Sequence, residues 1–220
     1  MLRRVVLIAL AAIVVASASL PAQTRRRPPA RKPAAVPLKV ETAAIKCPSR
    51  LGRGANTHLE FCDILISRQP ADGIIITVPP HDGGAFVTFT LHNRHTYSED
   101  EVRARRAYAR YTAVVGLLTM DGELLERAAV QGEFFTDKDL FDRIEGGAGP
   151  RGLKAVAPVG AEPVRIPVEA AIEQVSLLGE KLLVTRREST ATYSVVGTPI
   201  ATVSNVRIEY RPKRAPVRRK

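Results

Sequence analysis

The chain has 220 residues, with 33 Lys and Arg against 22 Asp and Glu, for a formal charge of +11. The excess is confined to the ends: residues 1–39 hold eight bases and residues 211–220 hold six, neither with an acid, whereas residues 40–210 hold 19 bases and 22 acids. A body at −3 removes the main argument for a specific nucleic-acid partner, and its length suits one ordinary domain.

In chain order, the first feature reads as a secretory signal. Arg3 and Arg4 precede an unbroken apolar run at 5–16, and Ala16-Ser17-Ala18 supplies small residues for cleavage after Ala18. The run is shorter than the ~20 residues of a membrane span, so no transmembrane segment is expected once 1–18 is removed. The first cysteine is Cys47, too far along for a lipid anchor. A secreted or periplasmic location follows from this reading.

Residues 19–39 form a basic linker rich in Pro and Ala, around Arg25-Arg26-Arg27-Pro28-Pro29 and Arg31-Lys32-Pro33, and 211–220 form a similar tail. Like charges and few apolar residues predict disorder in both, and several bases together would attract an anionic surface. Cys47 and Cys62 are the two cysteines, and in an exported chain they are expected to pair. Closing a loop of about 15 residues contributes roughly 3 kcal/mol in the chain-entropy model. The enclosed segment, with Gly52, Gly54 and Asn56, reads as a loop.

The body at 40–210 reads as β. A half-alternating run covers 59–66, and Pro70, Asp72 and Gly73 mark a turn. Two β-rich runs, 74–78 and 85–91, flank the break Pro79-Pro80-His81-Asp82-Gly83-Gly84 and read as a hairpin. Ser98 and Glu101 have capping-box spacing for a short helix to about Arg106. Long strands at 108–120 and 123–135 enclose Asp121-Gly122, which predicts a second hairpin on a type I′ turn. A second short helix is predicted from Thr136 to about Ile144, ended by a Gly-rich stretch. Strands follow at 153–157, 164–168, 172–177, 181–187, 190–196 and 200–210. The sum is a mainly β fold: an antiparallel β-sandwich of immunoglobulin-like architecture with one or two short helices.

The four histidines, His58, His81, His92 and His95, all fall within 58–95. In extended chain His92 and His95 point to opposite faces, so they do not share a metal, and no metal or cofactor is expected. The densest polar stretch is 92–99, where His92, Asn93, Arg94, His95, Tyr97 and Glu99 lead from a strand into the capped helix. With His81 and Asp82 of the first loop these are the candidate binding residues. The Gly-rich stretch follows a helix and precedes a strand, the reverse of a phosphate loop. Asp137, Asp139, Asp142 and Glu145 miss the calcium-loop template. The chain has no Trp, and Tyr97, Tyr108, Tyr111 and Tyr193 would form a stacking platform only if they shared a face.

These readings lead to an exported, non-catalytic β-sandwich protein that binds an unknown ligand or envelope partner, with its basic ends as a tether. The alternative is a hydrolase or metal-dependent enzyme built on residues 92–99, which requires His92, His95 and Glu99 to converge.

Overall fold

The structure is a computed structural model that describes residues 36–213. The expected signal at 1–18, most of the basic linker and the end of the basic tail lie outside the described residues.

Twelve strands follow in chain order: β1 (Lys39–Thr42), β2 (Ala44–Lys46), β3 (Arg50–Arg53), β4 (Glu60–Leu65), β5 (Ile74–Thr77), β6 (Ala85–Thr96), β7 (Ala109–Thr119), β8 (Leu124–Phe134), β9 (Val156–Val168), β10 (Gln174–Thr185), β11 (Thr190–Tyr193) and β12 (Pro199–Tyr210). One helix, α1 (Glu99–Arg103), lies between β6 and β7. The first sheet has the order β3-β4-β12-β6-β9, with β1 also on β12; the second has the order β2-β5-β10-β7-β8, with β11 also on β10. Every strand pairing is antiparallel. The sheets pack face to face as a β-sandwich.

Alternation builds the core. Along β6, Ala85, Val87, Phe89 and Leu91 are buried at 3% exposure or less, while Phe86, Thr88 and Thr90 lie on the other face, half-buried. They meet Ile74, Ile76, Val115, Leu117, Val175 and Leu177 of the second sheet in one apolar cluster. The Cys47–Cys62 disulfide is present, with a Cα–Cα distance of 6.0 Å. It joins the residue after β2, in the second sheet, to β4 in the first. The segment it encloses is not a loop throughout: Arg50–Arg53 forms β3 and pairs with β4.

Several local expectations need correction. The runs at 74–78 and 85–91 are not a hairpin: β5 pairs with β2 and β10, whereas β6 pairs with β12 and β9, so residues 79–84 carry the chain from one sheet to the other. Both edges of β5 are already occupied within its own sheet. The expected strands at 153–157 and 164–168 belong to the single 13-residue β9. Pro158 and Pro163 read as breaks, but β9 is an edge strand of its sheet, where a missing N–H costs no ladder bond. Likewise 172–177 and 181–187 are one strand, β10, with a bulge between Gly179 and Lys181 rather than a break. The second helix is only a 3₁₀ turn at Asp137–Asp139, where the Asp139 carboxylate accepts from the Thr136 N–H at 2.8 Å.

The β7–β8 hairpin is present with Leu118 opposite Leu124, but its turn is not type I′. Only Gly122 has positive φ, at 89°, and its N–H donates to the Thr119 carbonyl at 3.1 Å. A three-residue loop with glycine in the left-handed position satisfies both facts. α1 is shorter than expected. Ser98 Oγ accepts from the Glu101 N–H at 3.4 Å, but the Glu101 carboxylate turns to Arg106 instead of closing the capping box. Arg105, at φ 57°, reverses the chain toward β7.

Beyond the Asp137–Asp139 turn the chain crosses the outer face of the first sheet. There Ile144 and Phe141 join Leu51, Leu59, Phe61 and Val156 in a second, smaller apolar cluster. Asp142 secures this cover. Its carboxylate accepts from the Thr57 N–H at 2.8 Å, the Thr57 hydroxyl at 2.6 Å and the Asn56 side-chain amide at 3.0 Å. Burial alone would raise the Asp142 carboxyl, yet the bonds from Thr57, Asn56 and Arg143 outweigh it and hold the group below its ordinary value.

Candidate functional site

The eight candidate binding residues do not share one environment. His81 and Asp82 hold the end of the chain. His81 Nδ1–H donates to the Pro79 carbonyl at 2.8 Å, His81 forms a bridge with Pro212, and the Asp82 N–H donates to the Arg211 carbonyl at 2.9 Å.

His92 is wholly buried on the outer face of the first sheet, inside β6 rather than after it. Its Nδ1–H donates to the Gly160 carbonyl at 2.5 Å and its Nε2 accepts from the Ser204 hydroxyl at 2.9 Å. Gly160, at φ 69°, lies in the bulge where β9 slips past β6 between Leu91 and Asn93. The imidazole packs on Phe61 and Phe141, with centroids 5.5 and 4.4 Å away. Burial lowers its pKa, opposed in part by the Gly160 bond, and both nitrogens are satisfied in the neutral ring.

Asn93 and His95 point the other way, between the sheets. Asn93 donates to the Val130 carbonyl at 3.2 Å. His95 stacks on Phe134 with centroids 3.7 Å apart, and its Nδ1 lies 2.7 Å from the Tyr111 hydroxyl. That nitrogen is the hydroxyl's one described partner, so we assign Tyr111 as donor and His95 as the Nε2–H tautomer. Nε2 is buried without a partner among the described residues. Tyr97 lies under the Arg143 guanidinium at 4.1 Å, and Glu99 is exposed on α1. His92, His95 and Glu99 therefore do not come together. Among the described residues no three His, Cys, Asp or Glu side chains gather as a metal site.

What the strand end does build is a cleft. Arg94 and His95 of β6, Glu101 of α1, Arg106 and Tyr108 before β7, Arg186 after β10 and Tyr193 of β11 line a concavity of about 510 Å³. Three arginines and one carboxylate thus line it. Arg94 Nε donates to Asp63 Oδ1 at 3.1 Å, and Glu101 takes two bonds from Arg106, at 2.7 and 3.2 Å. Burial raises the Asp63 carboxyl, with Arg94 opposing. Burial also pushes the His95 imidazole down to about 4, and the charge of Arg186 acts in the same direction. The Tyr111 phenol is pushed up to about 12 by burial, against the pull of Arg186.

Arg106 and Arg186 did not stand out in the sequence, because only the fold brings residues near 95, 106 and 186 together. Of the four tyrosines, Tyr108, Tyr111 and Tyr193 do share the cleft, although Tyr111 is buried, and Tyr97 is not among its lining residues. A second concavity of about 390 Å³ opens where β4 and β1 part along β12, beside the disulfide. Its walls are largely apolar, with Ala43, Ile45, Leu59, Val203 and Val206, and it lacks a comparable convergence of charge.

No family model matches the chain, and no curated protein matches it. Among solved structures, the chain is similar at 13% identity to the Agl-KA catalytic domain, over 85% of this chain and 30% of that one, with a TM-score of 0.33. It is also similar at 13% identity to the infectious bursal disease virus VP2 subviral particle, over 80% of this chain and 42% of that one, with a TM-score of 0.20.

Proposed function

We propose that this is an exported, non-catalytic β-sandwich protein with a binding role at the cell envelope, and that the cleft between α1 and the β10–β11 hairpin is its binding site. The observation that carries this reading is that Arg106 and Arg186 line one open concavity with Tyr108 and Tyr193. Convergent polar groups on a rigid scaffold are the usual mark of a ligand site. The disulfide and the signal-like N-terminus support export, and the basic ends support contact with an anionic surface. The enzyme alternative needs His92, His95 and Glu99 within reach of one reacting atom. His92 and His95 face opposite sides of β6, and Glu99 stands exposed on α1.

Hydrogen exchange of the mature chain, with and without an envelope extract, tests the reading. The expected result is slowed exchange at residues 94–111 and 182–199. Slowing confined to the apolar concavity beside the disulfide would move the site there. Turnover of an envelope substrate that depends on the cleft residues would favour the enzyme.

A further inference from the structure

The outer face of the first sheet is only half covered. Over His92 and Phe61 it carries the segment that includes Phe141 and Ile144. Towards the end of β12 the register sets two bare rows across the sheet. One runs Thr42, Arg207, Thr88, Arg165, and the next Val40, Glu209, Phe86, Pro167. Partners in a row place their side chains on one face. Here it is the solvent face, because Val87, Ile166 and Ile208, which separate the rows along their strands, are buried. Arg165 and Arg207 therefore flank Thr88 on the same side of the sheet, and both line a shallow concavity of about 270 Å³. Arg165 lies over the Phe86 ring at 3.2 Å and donates to Glu209 at 2.9 Å. Arg207 is exposed and has no carboxylate within ion-pair distance among the described residues. Glu209 is the one acid in the two rows, and Arg165 already holds it.

The same edge receives both ends of the chain. β1 begins at Lys39 opposite Tyr210, the last residue of β12, so the chain enters and leaves the fold side by side. Residues 19–39 hold six bases and residues 211–220 another six, with no acid in either. Both basic segments are thus joined to one edge of the fold, beside Arg207. At the junction Leu38 and Val40 are 48% and 46% exposed.

We propose that this uncovered half-face is a docking surface for an anionic phospholipid bilayer, with a headgroup phosphate against Arg207 and the side chains of Leu38 and Val40 entering the interface. The proposal rests on the reading of an envelope protein whose basic ends meet an anionic surface, and it does not involve the cleft. Charge alone would suit any polyanion. Exposed apolar side chains set among bases gain only where the anion borders hydrocarbon, which favours lipid over a soluble polyanion. Thr198 and Pro199 line the cleft at the start of the 12-residue β12, roughly 35 Å along that strand from Tyr210, so the two sites can be tested separately.

The experiment is sedimentation of the mature chain with vesicles of phosphatidylglycerol. Phosphatidylcholine vesicles are the control, and heparin is the soluble polyanion. The wild type should bind phosphatidylglycerol and not phosphatidylcholine. Arg207→Gln should weaken that binding by about fivefold, and Arg207→Glu by about tenfold or more. Lys181→Glu makes the same change of charge at an exposed position of the second sheet, and should weaken it by about twofold at most. Leu38→Ser/Val40→Ser should weaken vesicle binding by about tenfold and leave heparin binding unchanged. All the substituted residues are exposed, and urea midpoints equal to that of the wild type check that each variant folds. Equal losses from Arg207→Glu and Lys181→Glu would mean that net charge alone acts. That result would overturn the docking face and leave the tether by the basic ends standing. Vesicle binding untouched by the apolar variant would overturn the lipid. Binding of heparin without binding of vesicles would do the same, with the tether intact, whereas binding of neither would bring down both.

Discussion

His92 and His95 stand three residues apart on one strand and have opposite fates. His92 packs on Phe61 and Phe141, with a partner on each nitrogen. His95 lies between the sheets, stacked on Phe134, with one nitrogen paired, the other unpaired, and a guanidinium charge acting on it from the cleft. The pleat of β6 separates them, so a sequence cluster of histidines becomes a fastener on one face and a cleft wall on the other. The difference shows that residue density along a strand is a poor guide to a site. What matters is which face is covered.

Substitution of the fastener is expected to have the largest effect. His92→Ala removes two hydrogen bonds and the ring between Phe61 and Phe141, and should destabilise the fold by about 3–5 kcal/mol in urea unfolding. A loss below about 1 kcal/mol would mean that the outer cover contributes little to stability.

Acid should act on both rings. Each is held below its ordinary value, so the unfolded chain takes up the proton first. Their contribution is complete above the unfolded value near 6.5 and is lost as pH falls through the folded value, about 4 for His95. Urea unfolding followed from pH 7 to 4 should show a loss of up to about 3 kcal/mol from His95, and His95→Gln should flatten the profile. Asp63, raised by burial, pulls the other way, but it cancels when the two profiles are subtracted.

Asp142→Ala should cost about 2 kcal/mol, because it removes the buried carboxylate to which the Asn56 and Thr57 N–H groups donate. It should leave the cleft untouched, and an altered His95 titration in this variant would show that the two faces are coupled. Glu101→Gln removes only the exposed Arg106 pair and should move the unfolding midpoint little. The smallest effect on the folded body is expected from deleting 19–35 and 214–220, a boundary that spares Lys39 in β1 and Arg211 beneath Asp82. Melting temperature should hold. Association with anionic vesicles should fall, and fall further as salt shortens the screening length from about 10 Å at 0.1 M to about 3 Å at 1 M. Vesicle binding unchanged by deletion would assign all of it to the folded body.

Much of the fold could be read locally. Asp121-Gly122 announced the β7–β8 hairpin because a hairpin is specified by its own turn, even though the turn type differed. Cys47 and Cys62 left one pairing. The partners of β5 and β6 could not be read, because both runs are apolar on the inward face and nothing in residues 79–84 says whether the chain folds back or crosses between sheets. Prolines concealed the length of β9, since a break in a central strand and a harmless residue on an edge look alike in sequence. Part of the cleft was legible: Arg94 and His95 came from a polar run at a strand end, and the tyrosines were noticed. Arg186 was not, because its significance lies in having no carboxylate partner among the described residues, and partnership is a property of the fold.

The strand order of the first sheet also governs when the molecule can fold. β12 pairs with β6, β4 and β1, and Lys39 faces Tyr210 across the sheet. Until that strand arrives, three others lack the neighbour they need. Non-local pairings of this kind form slowly. A ribosome-bound chain therefore cannot complete this sheet until residue 210 has emerged, and strands made more than a hundred residues earlier wait for it with an open edge.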